Sequence, residues 1–280
     1  METFIEILKA ILIGIVQGIT EWLPVSSTGH MIIAKEFVNP QVSDGCWDLF
    51  LVIAQLASII AVIILFFDKL NPWSRNKVDE QKKQTWKLWL YVLIAIVPTA
   101  ILGIIIDKII LENIIGDNQY IELLIISVAL VVYGVLFIVI ERHNRNKTFK
   151  YETVYDIDVK TAIKIGCFQT LSVVPGTSRS GATILGASTV GVSRTAAAEF
   201  SFFLAIPTMA GASLLKAAKF VLSGTPVVID EVMLLLVAAA TAFIVSLWAI
   251  KFLVGFVKKH TATTTEMTIA PIMIQNAGFL

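Results

Sequence analysis

Two polar segments of this sequence bring together side chains that could bind and attack a phosphate group. The first, residues 17–30, contains Glu21, several hydroxyls and His30, and the second, residues 169–183, contains Arg179 among further hydroxyls. The planar guanidinium of arginine matches phosphate oxygens and stays charged when buried. A carboxylate, an imidazole and a hydroxyl beside such an anion pocket predict phosphoryl-transfer chemistry.

Each of these residues also has a purely structural interpretation. An acidic side chain in an apolar region is costly unless it is paired or metal-bound, so Glu21 could form a buried ion pair with Arg179 that only organises the fold. His30 could be a hydrogen-bonded structural residue, and Gln17 and Gln169 could satisfy buried backbone groups. The polar crowding of both segments favours a functional site.

The composition places these segments in a membrane protein. The chain has 280 residues, of which 56% are hydrophobic and 15% are charged, whereas soluble domains carry roughly 25% charged residues. The 22 basic and 21 acidic residues leave a net charge of +1, which argues against nucleic-acid binding. The sequence therefore predicts an all-α polytopic membrane protein.

Five stretches are long and apolar enough to cross about 30 Å of hydrocarbon as helices. They cover residues 49–67, 88–106, 121–140, 200–222 and 232–257. Two further regions, 4–37 and 162–192, each consist of two short apolar arms around a loop rich in Pro, Ser, Thr and Gly. Irregular backbone at membrane depth must be satisfied by protein or by water in a cavity. We therefore expect each region to form a re-entrant helix-loop-helix pair.

Basic residues predict the orientation of the chain in the membrane. The connection 68–87 holds six Lys or Arg residues and 141–160 holds five, whereas 107–120 holds one and 223–231 holds none. The positive-inside rule makes the first two connections cytoplasmic. The first re-entrant pair then enters from the outer face and the second pair enters from the inner face.

The two polar regions are also related to each other in sequence. Gly14-Ile-Val-Gln17 corresponds to Gly166-Cys-Phe-Gln169, and in each copy a later proline opens a hydroxyl-rich run that ends in glycine. Because the two copies enter from opposite faces, we expect two inverted-topology repeats whose loops meet near the midplane. The first repeat covers residues 1–150 and the second covers residues 151–280.

Both segments resemble the signature motifs of a known family. Residues 14–30, Gly-Ile-Val-Gln-Gly-Ile-Thr-Glu-Trp-Leu-Pro-Val-Ser-Ser-Thr-Gly-His, and residues 175–183, Pro-Gly-Thr-Ser-Arg-Ser-Gly-Ala-Thr, are similar to those of the bacterial undecaprenyl-diphosphatase (bacitracin-resistance protein) family. The likeness covers about residues 1–260. It implies an enzyme of the bacterial inner (plasma) membrane that hydrolyses undecaprenyl diphosphate to undecaprenyl phosphate and phosphate. Such an enzyme recycles the carrier lipid of cell-wall synthesis at a site open to the outer face.

The resemblance also implies roles for individual residues. Glu21, Ser27, His30 and Arg179 would be catalytic, and Mg²⁺ or Ca²⁺ would be held by Glu21 and by Gln17, which stands where some relatives have a second carboxylate. Six residues would bind the substrate: Ser26, Thr28, Gly29, Ser178, Ser180 and Thr183. The nucleophile is either Ser27, activated by His30, or His30 itself, and the sequence leaves both open.

Other functions also fit the residues. Inverted repeats with polar loops at the midplane are a transporter architecture as well, so the chain could instead be a flippase for the same carrier lipid. It could also be a catalytically silent resistance or scaffold protein. The expected partners are the polyprenyl diphosphate lipid, the bilayer and a second copy of the chain in a homodimer.

The resemblance weakens at the C-terminal end. In the family a sixth full span closes the second repeat, whereas here the tail 261–280 begins with a polar run and its last thirteen residues, 268–280, are too short and too polar to cross the bilayer. We therefore expect five full spans, an atypical C-terminal tail and a cytoplasmic C-terminus.

Overall fold

The fold is all-helical in the computed structural model, which describes residues 2–116, 118–145, 147–223 and 229–277. These residues form ten α-helices: α1 (Glu2–Thr20), α2 (Ser27–Val38), α3 (Asp44–Leu65), α4 (Phe67–Leu70), α5 (Asp79–Asp107), α6 (Gln119–Asn144), α7 (Val159–Thr170), α8 (Arg179–Thr189), α9 (Arg194–Ser223) and α10 (Ile229–Ala277). A π-helical segment, Lys108–Ile115, follows α5, and a 3-10 turn, Leu171–Val173, follows α7. The predicted all-α class is confirmed.

Six of the described helices contain a segment long and apolar enough to cross a membrane. Five of these segments match the predicted spans: Gly45–Leu65, Asp79–Ile106, Tyr120–Asn144, Arg194–Leu222 and Glu231–Lys259. The sixth is Thr3–Thr20, which is the first arm of the predicted re-entrant pair 4–37. By length and composition the expected number of five is therefore wrong, because α1 continues over 18 residues where a short arm was predicted.

The other three arms of the predicted re-entrant pairs are short. Helices α2 and α7 have 12 residues each and α8 has 11. At about 1.5 Å per residue, each covers less than about 20 Å, which is too short to cross the hydrocarbon core. Their path relative to the bilayer stays a prediction.

Helices from the two halves of the chain pack in matching pairs. Helix α1 packs on α10, and α7 packs on α5. A Cβ atom on Gly14 would lie 2.7 Å from the carbonyl oxygen of Ala238, and one on Gly166 would lie 2.1 Å from that of Ala95. Glycine permits these close approaches because it has no side chain. The pairing agrees with two repeats, 1–150 and 151–280, although the division and its inversion stay predictions.

The apolar core fixes the first polar loop, residues 21–26. Trp22 is fully buried and meets Phe202 of α9 edge to face, with 5.3 Å between the ring centroids. Phe200 and Phe203 are buried beside it in the same cluster. Aromatic pairs in this geometry add to the stabilisation that burial gives. The anchored Trp22 therefore holds its neighbour Glu21 in place.

Helix α10 continues without interruption to Ala277 and has 49 residues. The predicted tail, residues 261–280, is thus helical over 261–277, and residues 278–280 lie outside the described residues. The membrane-spanning segment of α10 ends at Lys259. Within the described part of the chain, no separate span follows it, in agreement with the prediction for this end. The side of the membrane on which the chain ends stays a prediction.

Candidate active site

The two polar loops face one cavity of about 240 Å³. Seven of the predicted site residues line it: Glu21, Ser26, Ser27, Thr28, Ser178, Arg179 and Ser180. The remaining lining residues are mostly polar and come from the second loop and from α3 and α9: Gln55, Ser172, Thr177, Thr208, Met209, Ala212 and Lys216. The structure therefore brings together two segments that are more than 140 residues apart.

Glu21 lies at the centre of a hydrogen-bond network in this cavity. Its Oε2 accepts hydrogen bonds from Ser27 Oγ at 2.8 Å and from Gln17 Nε2 at 3.0 Å. Its Oε1 accepts a hydrogen bond from Arg179 Nη2 at 2.9 Å. The carboxylate is 7% exposed, and a charge buried to that degree is costly unless it is paired. The network offsets this cost and fixes both oxygens.

Arg179 is the first residue of α8 and is held from two sides. Its Nη1 donates to the carbonyl oxygen of Ser201 at 3.3 Å, and its Nη2 contacts Met209 Sδ at 2.7 Å. The guanidinium carbon lies 5.9 Å from the ring centroid of Trp22. Arginine has five N–H donors, and these contacts together with the Glu21 bond do not use all of them. Donors therefore remain for an anion in the cavity.

Serine side chains order the ends of the two loops. Ser178 is the N-cap of α8, and its Oγ accepts a hydrogen bond from the Gly181 N–H at 3.1 Å. Ser180 Oγ donates to the carbonyl oxygen of Leu23 at 3.2 Å, which joins the second loop to the first. The α8 N-terminus thus opens toward the cavity, and helix N-termini favour anions.

Ser26 combines a cap with an uncommon backbone conformation. It precedes α2 with φ 62°, and its Oγ accepts a hydrogen bond from the Gly29 N–H at 3.4 Å. A non-glycine residue at positive φ costs on the order of 1–3 kcal/mol and is found where a site requires it. This backbone conformation turns the chain so that the Ser27 hydroxyl contacts Glu21.

Comparison with known proteins identifies the family. Residues 10–267 match the family described as "Bacitracin resistance protein BacA". This chain belongs to the BacA family. The resemblance predicted from the two motifs is therefore confirmed, and it extends over most of the chain.

Curated relatives of this BacA family chain are named undecaprenyl-diphosphatase. One from Streptococcus equi subsp. equi is 47% identical over 260 residues, which cover 93% of this chain and 91% of the relative. One from Limosilactobacillus fermentum is 48% identical over 254 residues, with 91% and 90% covered. One from Enterococcus faecalis is 46% identical over 260 residues, with 93% and 92% covered.

His30 of the BacA signature lies outside the cavity. Its side chain is exposed, and its Nδ1 is 2.9 Å from the carbonyl oxygen of Ser26, one helical turn earlier. Ser27 donates its hydroxyl proton to Glu21 instead. The described contacts therefore do not contain the expected pair of Ser27 and His30, and they place no contact between His30 and Arg179. The reason is that each side chain has another partner, since His30 is bonded to the Ser26 carbonyl and Ser27 to Glu21.

Two predicted substrate-binding residues also lie away from the cavity. Thr183 is fully buried, and its Oγ1 donates to the carbonyl oxygen of Arg179 at 3.0 Å and lies 2.6 Å from Ser201 Oγ. Gly29 is buried in the first turn of α2, where its N–H is used by the cap. Both residues support the cavity wall from behind, so their placement does not agree with direct binding of substrate.

Three polar residues that line the cavity lie outside the two predicted polar segments. They are Gln55 of α3 and Thr208 and Lys216 of α9. A signal for Gln55 and Lys216 is present in the sequence, because each is a polar residue inside an otherwise apolar span, and such residues often mark functional sites. Met209 and Ala212 carry no such signal, since apolar residues are expected there.

Proposed function

We propose that this chain is an integral membrane phosphatase that hydrolyses undecaprenyl diphosphate to undecaprenyl phosphate and inorganic phosphate. The relatives at 46 to 48% identity carry the name of this activity. The observation that carries the proposal is Glu21, whose carboxylate contacts the Ser27 hydroxyl and the Arg179 guanidinium at once. A base, a nucleophile and an anion-binding cation are thus in one cavity.

Ser27 is the proposed nucleophile and Glu21 its general base. Ser27 Oγ attacks the terminal phosphorus while its proton passes to Glu21 Oε2, which already accepts this hydrogen bond at 2.8 Å. The bond between phosphorus and the bridging oxygen breaks, and undecaprenyl phosphate leaves. Water then hydrolyses the phosphoserine and the proton returns to Ser27. His30 is not required as base in this scheme because its imidazole is exposed and bonded to Ser26.

Arg179 and the hydroxyls supply charge stabilisation in this scheme. Arg179 and the N-terminus of α8 face the place where the terminal phosphate would lie next to Ser27. Phosphoryl transfer depends mainly on positioning and on donors aimed at the phosphoryl oxygens. Ser178 and Ser180 extend this donor set from the same helix end.

The residues of the cavity suit a divalent cation shared with the substrate. Glu21 offers carboxylate oxygens, which are hard ligands suited to Mg²⁺ or Ca²⁺. Gln17, the other predicted ligand, is buried, does not line the cavity and turns its amide nitrogen to Glu21, so its amide would have to rotate to bind an ion. The described residues contain no group of three His, Cys, Asp or Glu side chains placed to hold a metal ion. Glu21, with Gln17, would therefore hold the ion together with phosphate oxygens, as Mg²⁺ sites often do. When bound, the ion would neutralise negative charge on the diphosphate.

The membrane setting agrees with a lipid substrate. The chain is a multi-pass membrane protein, with six described helices able to cross a bilayer. We propose the bacterial plasma membrane as its location, with the cavity open to the outer face and a homodimer as its assembly. The names of the relatives favour a phosphatase over the alternative of a flippase for the same lipid.

Phosphate release tests the proposal. The purified protein should release inorganic phosphate from detergent-solubilised undecaprenyl diphosphate, and a chelator should abolish the release. Trapped phosphoryl-enzyme should survive acid, as phosphoserine does, whereas phosphohistidine would be lost. Transport of undecaprenyl phosphate by reconstituted protein that releases no phosphate would support the flippase instead.

A further inference from the structure

One charge in the cavity is not used by the proposed mechanism. Lys216 of α9 lines the cavity together with Glu21 and Arg179. Glu21 and Arg179 form an ion pair at 2.9 Å, so their charges offset each other. Lys216 has no hydrogen bond or ion pair with any residue that the structure describes. The cavity proposed to receive an anionic lipid therefore has one lining cation whose charge is not offset.

The position of Lys216 follows from the helix that carries it. Thr208, Met209, Ala212 and Lys216 line the cavity from α9, and their spacing of three and four residues places them on one face. Met209 contacts Arg179. Lys216 comes seven residues later, which is nearly two turns or about 10 Å further along the helix. Its ammonium group is thus displaced from Arg179 toward the Ser223 end of α9.

A second cavity, of about 360 Å³, begins at Lys216. It runs between α3 and α9, and four of its lining side chains are apolar: Leu49, Leu51, Val52 and Phe220; Gly45 and Lys219 also line it. Asp48 also lines it, but the described contacts include no ion pair between Asp48 and Lys216. Lys216 therefore lies at the junction of the polar cavity and this apolar groove.

We propose that Lys216 binds the lipid-linked phosphate of the substrate and so selects diphosphate esters. A prenyl diphosphate presents a terminal phosphate, a lipid-linked phosphate and an apolar chain, in that order. The protein presents Arg179 with the serine hydroxyls, then Lys216, then the apolar groove. Lysine suits the middle position because its flexible stem carries a point charge to a phosphate. The inference rests on the proposed function and names the group that sets its substrate class.

Three variants test this role. Lys216→Met removes the charge and keeps much of the length of the side chain, whereas Lys216→Arg keeps the charge. Lys251→Met is the matched control, because Lys251 is also an exposed lysine within a membrane-spanning helix and lines neither the active-site cavity nor the second cavity. Lys216 is exposed, so all three proteins should fold, which thermal unfolding in detergent checks.

Steady-state kinetics with a prenyl diphosphate should separate the three variants. We expect the KM of Lys216→Met to rise about tenfold, equivalent to about 1.4 kcal/mol, with kcat changed less than about threefold. Lys216→Arg and Lys251→Met should stay within about threefold of the parent in KM. Inhibition by inorganic phosphate, which needs only the Arg179 end, should be unchanged in Lys216→Met. Equal KM values for Lys216→Met and Lys251→Met would overturn the proposal.

Equilibrium binding separates this inference from the proposed function. Binding of the prenyl diphosphate is measured with chelator present, so that no turnover is required. If the parent binds the lipid but never releases phosphate, the phosphatase proposal fails, and about tenfold weaker binding to Lys216→Met still supports the lysine role. If the parent hydrolyses the lipid and Lys216→Met binds it equally well, the lysine role fails alone. A parent that does not bind the lipid contradicts both.

Discussion

The two loops that meet in the cavity start from similar helices but contribute different chemistry. Gln17 lies in the last turn of α1 and donates to Glu21, four residues later, at 3.0 Å. Gln169 holds the corresponding place in the second helix, but four residues later the chain has Val173. Its amide donates instead to Thr99 of α5 at 3.1 Å. The first loop therefore supplies the carboxylate and the nucleophile, and the second supplies the arginine.

The two halves of the chain share the same close helix packing but contribute different polar residues to the cavity. Gly14 and Gly166 both lie against a backbone carbonyl of a neighbouring helix, so the packing requirement is shared. The polar residues that follow are complementary, because Glu21 and Arg179 come from different loops and form one ion pair. Neither loop is a complete site by itself.

Removing the carboxylate should have the largest effect on activity. Glu21→Gln keeps the shape of the side chain but removes the proposed base and cation ligand, so we expect kcat/KM to fall about 100-fold or more. Phosphate release from undecaprenyl diphosphate measures this change. Glu36→Gln, an exposed carboxylate on α2, is the control and should retain full activity. Parent-like turnover of Glu21→Gln would contradict the central role of this carboxylate.

Adding a carboxylate should distinguish the two equivalent glutamines. Gln169→Glu places an acid at a fully buried position without a basic partner among its described contacts, which should lower the free energy of unfolding by about 2 kcal/mol or more. Gln17→Glu places the acid beside Glu21, where a cation can bind both. We expect its activity to stay within about threefold of the parent, with the half-saturating concentration of Mg²⁺ reduced about tenfold. Similar losses of stability in both variants would show that the two positions do not differ in this way.

Alanine at the two glycines should sharpen the packing side of the comparison. Gly166→Ala should lower the free energy of unfolding by about 1–3 kcal/mol, because the new Cβ would be 2.1 Å from the Ala95 carbonyl oxygen. Gly14→Ala should cost less, since the corresponding distance to Ala238 is 2.7 Å. Thermal unfolding in detergent gives the order. Gly134→Ala, where the added methyl group meets no atom within 4 Å, is the neutral control.

Asp158 caps the N-terminus of α7, the helix that leads into the second loop. Removing this cap should have a smaller effect on stability. Asp158 accepts a hydrogen bond from the Thr161 N–H at 2.7 Å, and together with the Tyr151 hydroxyl this lowers the pKa of the Asp158 carboxyl from 3.8 to about 2. Its ionised form therefore stabilises the fold above about pH 4, and this contribution is lost as the pH falls toward 2. Asp158→Ala should lower the free energy of unfolding by about 1 kcal/mol at neutral pH and should have almost no effect on it at pH 2. Equal costs at both pH values would exclude the charged cap.

Much of this architecture can be predicted from the sequence because apolar runs and polar loops are strong signals. The five spans and the meeting of the two motifs follow from hydropathy, basic residues and the repeat. The first arm is longer than predicted, because the mainly apolar segment Thr3–Thr20 runs directly into the polar loop at Glu21. A pattern of residue types gives no position for the end of such a helix.

The hydrogen-bond partner of the Ser27 hydroxyl cannot be predicted from residue spacing alone. Helix α2 starts at Ser27. In this first turn the His30 imidazole contacts the Ser26 carbonyl oxygen, and the Ser27 hydroxyl points to Glu21. A shift of one residue in the helix start would change which of these side chains are directed toward Glu21. The predicted motifs do not include Lys216 for another reason, because residues 200–222 are apolar on average although they contain Lys216 and Lys219.

A crosslink between the two loops tests most directly whether they form one site. Ser27 and Ser178 line the same cavity, so cysteines at both positions should be joined by a short bifunctional reagent. The native Cys46 and Cys167 are first replaced by alanine, and a pair at Ser27 and Ser74, which lies in the connection between α4 and α5, is the control. The account predicts efficient crosslinking of the first pair and none of the second. A folded protein, as judged by thermal unfolding in detergent, in which the cysteines at 27 and 178 do not crosslink would contradict the shared site.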